Sequence, residues 1–262
     1  MQLRYQAAGQ EGYEAVVTAD SGLAYFREFG VLRLGPGERY QGRTGDCEAI
    51  VHLIEGACRL SEAGGLEAAL GGRDTPFSGR PAAVFLPPGT DYQVHAGDRA
   101  VEVTLTLAPA EAGGAARAIT PEDVTPKQVG RDNWQRTVTM IAPPGFPSRR
   151  LILGETNNPP GNWSGVPAHK HDEARPGLES VHEELYYFRA DRPGGWGVER
   201  VYGGRDQDGL ILLGDRVVTL KPRGYHTVAA APGFGLYYSF VLSGPRKELI
   251  PYLDPAQAWL AG

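Results

Sequence analysis

The stretch Pro167-Ala168-His169-Lys170-His171-Asp172 carries two histidines two residues apart. In an extended chain alternate side chains project to the same side, so His169 and His171 face one point. Farther along, Glu184 opens the aromatic run Glu184-Leu185-Tyr186-Tyr187, and His226 follows the turn Lys221-Pro222-Arg223-Gly224-Tyr225. A third nitrogen from His226 and an oxygen from Glu184 complete a three-nitrogen, one-oxygen set suited to Zn, Mn, Fe, Co or Ni. Taken alone, a His-x-His pair is commonly a solvated pair on a strand. Here three of the six histidines fall in these stretches, beside an acidic residue and a Pro-x-Gly-x-His turn, which favours a divalent-metal site. The spacing does not choose among the metals.

Short strands must position these groups. The 36 glycines and 21 prolines are dispersed along the 262 residues, the pattern of many strands joined by tight turns. Apolar-polar runs at 30–34, 49–54, 82–86 and 101–107 each meet turn residues, which predicts a β-sandwich or barrel over the first hundred residues. Residues 109–126, rich in Ala and Gly, read as a connection, and strand patterns resume at 131–138 and 149–156. The second half repeats the order of events of the first, with Leu220-Lys221-Pro222-Arg223-Gly224 answering Leu86-Pro87-Pro88-Gly89. Two domains are therefore expected, 1–118 without metal and 119–262 with it, ending in a short helix-like tail at 254–260.

Composition narrows the partner. A net charge of −5 with 22% charged residues does not favour a nucleic-acid surface, and a small molecule is the expected ligand. No run approaches the ~20 apolar residues of a membrane helix. Two cysteines, Cys47 and Cys58, and a start without signal-peptide character point to the reducing cytoplasm.

With these motifs in view the chain resembles the cupin superfamily in a two-domain, all-β arrangement of tandem β-barrel or jelly-roll domains. More narrowly it resembles the family of 5-deoxy-glucuronate isomerases, which also holds the 4-deoxy-L-threo-5-hexosulose-uronate ketol-isomerases. The resemblance runs from Leu32-Arg33-Leu34-Gly35-Pro36-Gly37-Glu38 onward and is densest at 161–172, 184–187 and 224–233. It implies a bicupin fold, an aldose-ketose isomerisation of 5-deoxy-D-glucuronate in inositol catabolism, and a divalent metal on His169, His171, Glu184 and His226. Oligomeric state stays open, although cupins often pair through exposed sheet edges.

Such an isomerisation moves hydrogen between adjacent carbons, and a Lewis-acid metal helps by stabilising negative charge. Ligating imidazoles are committed, so Glu155, Asp172, His182 and Glu183 remain as proton carriers, with Glu155 ranked first and His182 next because it can share the face of Glu184. Asp172 and Glu183 alternate away from the ligands. Lys170, Lys221, Arg223 and Arg200 are the cations near enough in sequence to hold a substrate carboxylate. Tyr186, two after Glu184, can offer its hydroxyl to a sugar oxygen. Two other classes share the ligand set: an iron-dependent cupin dioxygenase and a non-catalytic sugar-acid-binding bicupin.

Overall fold

A computed structural model describes residues 1–111, 114–204 and 207–261; Ala112 and Gly113 of the expected connection lie outside the described residues. Among the described residues there is no α-helix. The first strands are β1 (Arg4–Gln6), β2 (Gly12–Val17), β3 (Glu28–Leu34), β4 (Arg39–Arg43), β5 (Cys47–Glu62), β6 (Glu67–Arg73), β7 (Ala83–Leu86), β8 (Asp91–Ala96), β9 (Val101–Pro109) and β10 (Arg117–Ile119). There follow β11 (Lys127–Val129), β12 (Arg136–Ala142), β13 (Ile152–Asn158), β14 (Trp163–Lys170), β15 (Glu183–Ala190) and β16 (Trp196–Gly204). The last are β17 (Gln207–Gly214), β18 (Val217–Lys221), β19 (Tyr225–Ala230), β20 (Leu236–Ser243) and β21 (Tyr252–Leu253).

Two compact units emerge. The first comprises Met1, Ala7–Thr125 and Met140–Ile152; the second comprises Gln2–Gln6, Pro126–Thr139 and Leu153–Gly262. Each assignment of a short segment has a local cause. Arg4, Tyr5 and Gln6 pair with Thr219, Val218 and Val217, which ties β1 to the second unit. In the first, the Glu48 carboxylate accepts the backbone N–H groups of Arg149, Arg150 and Leu151. The end of the Ala- and Gly-rich stretch is itself a strand: Arg117, Ala118 and Ile119 pair with Phe85, Val84 and Ala83, because Ile119 has an apolar place to go.

In the first unit the sixteen-residue β5 pairs through its first half with β7 and β9, and through its second half with β6 and β8. The switch occurs at Gly56, where φ is +87° and a Cβ would lie 2.4 Å from the Ala100 carbonyl oxygen, so only glycine fits. The strand thus serves both layers around a core that includes Leu32, Val51, Leu53, Leu60, Val84, Val94 and Val103.

The second unit holds a seven-stranded sheet in the order β1-β18-β15-β20-β13-β12-β11 and a five-stranded sheet in the order β17-β16-β19-β14-β21. Alternation along β15 and β20 sends Tyr186, Phe188, Leu236 and Tyr238 to one face, where they meet Leu213, Val217, Val228 and Ala230. Tyr186 and Tyr238 stack with ring centroids 4.5 Å apart, a pair worth about 0.5–1.5 kcal/mol beyond burial. The tail expected as a helix is a turn followed by a 3₁₀ segment, Ala258–Ala261. Asp254 accepts the Ala256 N–H as a local cap, while the Gln257 side chain accepts the Ala168 N–H. With β21 pairing His169 and Lys170, the tail secures the end of β14.

Glu48 is fully buried and its three backbone donors have no replacement acceptor in an alanine variant. Glu48→Ala is expected to destabilise the protein by roughly 3 kcal/mol, read as a lower urea midpoint. An unchanged midpoint would show that the three amides are satisfied otherwise.

Candidate metal centre

β14 and β19 run antiparallel with His169 opposite His226, so both imidazoles leave the same face, with ring centroids 4.7 Å apart. His171 lies just past β14, its ring 5.4 Å from that of His226 and 6.1 Å from that of His169. One ring nitrogen from each histidine lies within 4.8 Å of the others. Glu184, the second residue of β15, brings Oε2 to 3.3 Å from His171 Nε2 and 3.0 Å from His226 Nε2.

Backbone carbonyls orient the three rings. His171 Nδ1 donates to the His182 carbonyl at 2.9 Å; His226 Nδ1 faces Gly224 O at 3.3 Å and His169 Nδ1 faces Pro167 O at 3.5 Å. Protons placed on Nδ1 by these bonds leave each Nε2 with a lone pair for the interior. His226 Nε2 is buried and, despite its closeness to Glu184, makes no aligned hydrogen bond. Three inward lone pairs and a carboxylate are the donor set of a divalent cation, so the residues fit one.

The electrostatics of the four groups differ. Burial, then the neighbouring His226 and His171, push the His169 imidazole down to about 3, which keeps it neutral. Burial alone would raise the Glu184 carboxyl; the adjoining His171 and His226 imidazoles outweigh it and hold it well below its usual range. Burial disfavours a charge on His171, yet Glu184 more than compensates and raises that imidazole.

The long excursion between His171 and Glu184 is fixed by charge. Glu179, 3% exposed, accepts from Lys170 Nζ at 2.8 Å and from the N–H groups of Asp172 and Glu173. Asp172 receives Lys170 through Oδ1 and the Gly224 N–H through Oδ2 at 2.8 Å, which joins the segment after His171 to the turn before His226. At Gly224 φ is +92° and a Cβ would lie 2.7 Å from Tyr202 O, so the turn that aims His226 requires glycine.

The structure brings only some of the other expected residues to the centre. Lys170 faces away from the ligands, saturated by Asp172, Glu173 and Glu179. Arg200 is exposed and stacks on Tyr202, and Arg223 is exposed in the turn. Glu155 accepts a 3.0 Å hydrogen bond from Tyr237, which sits opposite Arg189, on the sheet face away from Tyr186 and Glu184. Its neighbour Gly154 takes the inner position, against the Phe240 ring, so strand parity excludes Glu155 from the ligand side. His182 contributes its backbone: its N–H donates to His171 O and its carbonyl receives His171 Nδ1, while burial and His171 lower its imidazole to about 4. Tyr186 does share the face of Glu184, with its ring 6.0 Å from that of His226; burial and then Glu184 push its phenol well above the usual range. Lys221 lies opposite Glu184 and is 1% exposed, with burial lowering its ammonium pKa.

Two residues went unmarked in the sequence. Glu199, wholly buried, lies 3.2 Å from Lys221 Nζ. Arg136 is half-buried near Tyr238 and Tyr186, and burial lowers its guanidinium. Glu199 shares the parity of Gly197 and Val201, but Val198 is apolar at the other parity, so alternation did not single it out; Arg136 gave no signal.

A model described as the KduI/IolB family matches residues 3–260. The chain belongs to the KduI/IolB family. A protein of Geobacillus kaustophilus named 5-deoxy-glucuronate isomerase is 34% identical over 258 residues, covering 96% of this chain and 91% of its own. One of the same name from Bacillus subtilis strain 168 is 32% identical, covering 94% and 91%. The crystal structure of an IolB-like protein from Salmonella typhimurium LT2 superposes with a TM-score of 0.94 at 29% identity, over 100% of both chains. Oxalate decarboxylase of Lactobacillus farciminis, at 14% identity, matches with a TM-score of 0.71 over 100% of this chain and 90% of its own. That likeness shows the fold: this KduI/IolB member is an all-β bicupin.

Asp172→Ala removes the link between the His171 and His226 segments while leaving all four donors. Metal affinity is expected to fall about 10–100-fold in a chelator competition, the usual effect of removing an outer support. Wild-type affinity would show that the link does not aim His226.

Proposed function

We propose that this chain is a divalent-metal-dependent aldose-ketose isomerase that converts 5-deoxy-D-glucuronate to 2-deoxy-5-keto-D-gluconate in inositol catabolism. The observation that carries the reading is the convergence of half-buried His169 with buried His171, His226 and Glu184 in a chain whose relatives are named 5-deoxy-glucuronate isomerase. A cation on those four groups supplies Lewis acidity toward adjacent sugar oxygens.

The surrounding residues suit the task. Burial of the centre excludes bulk water, which strengthens every charge interaction around a bound sugar. Tyr186, fixed by its stack on Tyr238, offers a hydroxyl that stays protonated and can orient a sugar oxygen. The metal is assigned to domain 119–262, and domain 1–118 to packing and assembly without one. Neither Cys47 nor Cys58 is bonded, both are buried, and we place the enzyme in the reducing cytoplasm. Among the described residues no helix is long and apolar enough to cross a membrane.

The test strips the purified protein with chelator, reloads it with Zn, Mn, Fe, Co or Ni singly, and follows 5-deoxy-glucuronate by NMR beside an oxygen electrode. Ketose formation that vanishes with chelator and returns with metal, without oxygen uptake, is expected. His171→Ala should lose both bound metal and turnover. Absence of ketose with every metal would sink the isomerase assignment, and oxygen consumption would replace it with a dioxygenase.

A further inference from the structure

Lys221 and Glu199 form a buried ion pair beside the metal ligands. Lys221 closes β18 directly opposite Glu184, so its side chain shares the face and the level of a ligand. Its Nζ lies 3.2 Å from Glu199 Oε1, donates to Thr219 Oγ1 at 3.1 Å, and sits 3.1 Å from the centroid of the Tyr186 ring. Glu199 faces Val228 across β16 and β19, the next inward rung after Val201 and His226. Exposure is 1% for Lys221 and 0% for Glu199, and neither Glu199 oxygen accepts an aligned hydrogen bond.

Such a pair is poor structural material. A carboxylate removed from water needs hydrogen bonds as well as a counter-ion, and apolar side chains of similar volume stabilise an interior at least as well. The chain itself contains that apolar solution. In the first unit Leu86 ends the strand before the matching Pro-x-Gly turn, and it pairs with Ala49 as Lys221 pairs with Glu184. A barrel of this design therefore does not require an ion at the position.

Nor does Lys221 suit the role of a clamp for the substrate carboxylate, because Glu199 already balances its charge. What it retains is short-range donor capacity. An ammonium has three N–H groups; Thr219 engages one, and Glu199 at 3.2 Å balances the charge without taking up an aligned hydrogen bond. We propose that Lys221 is a catalytic residue, the cation that stabilises negative charge developing on the substrate's carbonyl oxygen, and that Glu199 is the positioning residue that holds it there. The inference rests on the isomerase reading. In that reaction hydrogen passes from C2 to C1, the C1 carbonyl pair moves onto O1, and the proton of O2 ends on O1 as C2=O forms. No external oxidant or reductant enters. Charge gathers on O1 whether the hydrogen travels as proton or hydride, so the role of Lys221 holds for either route.

The experiment compares holoenzyme with Lys221→Met, Glu199→Gln and the double variant Lys221→Met/Glu199→Leu, which removes both ions together. Lys221→Met is expected to lower kcat about 100-fold with KM within about 3-fold of wild type and full metal content. Glu199→Gln should lower kcat less, again with metal retained. The double variant should unfold at or above the wild-type temperature, bind metal stoichiometrically and turn over as poorly as Lys221→Met. Three results would overturn the proposal: a double variant within about 3-fold of wild-type kcat, a Lys221→Met effect confined to KM, or metal loss in step with activity. A wild type inactive with every metal would instead sink the isomerase reading and this inference with it, an outcome separate from active wild type beside an active double variant.

Discussion

Four polar side chains that must be desolvated together govern the second unit. His171, His226 and Glu184 are buried and His169 is half-buried beside them, and a buried polar group without a partner costs about 1–3 kcal/mol. Backbone carbonyls at Pro167, His182 and Gly224 use one nitrogen of each ring, which forces the remaining nitrogens and the carboxylate to satisfy one another or a shared cation. The surrounding architecture follows from holding those carbonyls still. The β14–β19 register aligns two rings, the Glu179 and Asp172 network fixes the excursion behind the third, and β21 secures the end of β14.

How far this was legible depends on the range of the interaction. The His-x-His pair and the Glu184 strand are local, and their periodicity could be read directly from residue spacing. Pairing of His169 with His226 joins segments far apart in sequence; residue types and the family resemblance put both in one ligand set, but no spacing fixed their register. Glu155 shows the weakness of proximity as a guide. It stands at the end of a strand near the ligands, but Gly154 occupies the inward parity and Glu155 turns to Tyr237. In β16, Val198 and Val201 are apolar at opposite parities, so the pattern did not say whether Glu199 or Arg200 faced inward. Packing of β16 on β19, with Val201 opposite His226, decides for Glu199.

Comparison of the two units separates what the fold requires from what the chemistry requires. Gly42 pairs with Tyr92 across β4 and β8, much as His169 pairs with His226, and a Cβ at Gly42 would lie 2.4 Å from the Tyr92 ring. There the tyrosine fills space and joins an apolar core. Ala49 and Leu86 do the same on the next strands. A barrel of this kind is thus stable with apolar side chains on those rungs, and polarity on the corresponding rungs of the second unit is an addition to the scaffold. Substitutions there report on chemistry more than on folding, provided that charges are removed in balanced sets.

Balance also bears on the ligand. Beside the ligand cluster Glu184 and Glu199 are acidic and Lys221 is basic, so these three side chains leave one negative charge in excess. A bound dication reverses the sign and leaves one positive charge in a medium of low dielectric, where an unmatched charge is costly. A sugar monocarboxylate carries the single negative charge that cancels it. Half-buried Arg136, near Tyr186 and Tyr238, adds further positive potential on the tyrosine side. For these three side chains a dication and a sugar monocarboxylate together would restore balance, which would favour an acid sugar over its uncharged counterpart.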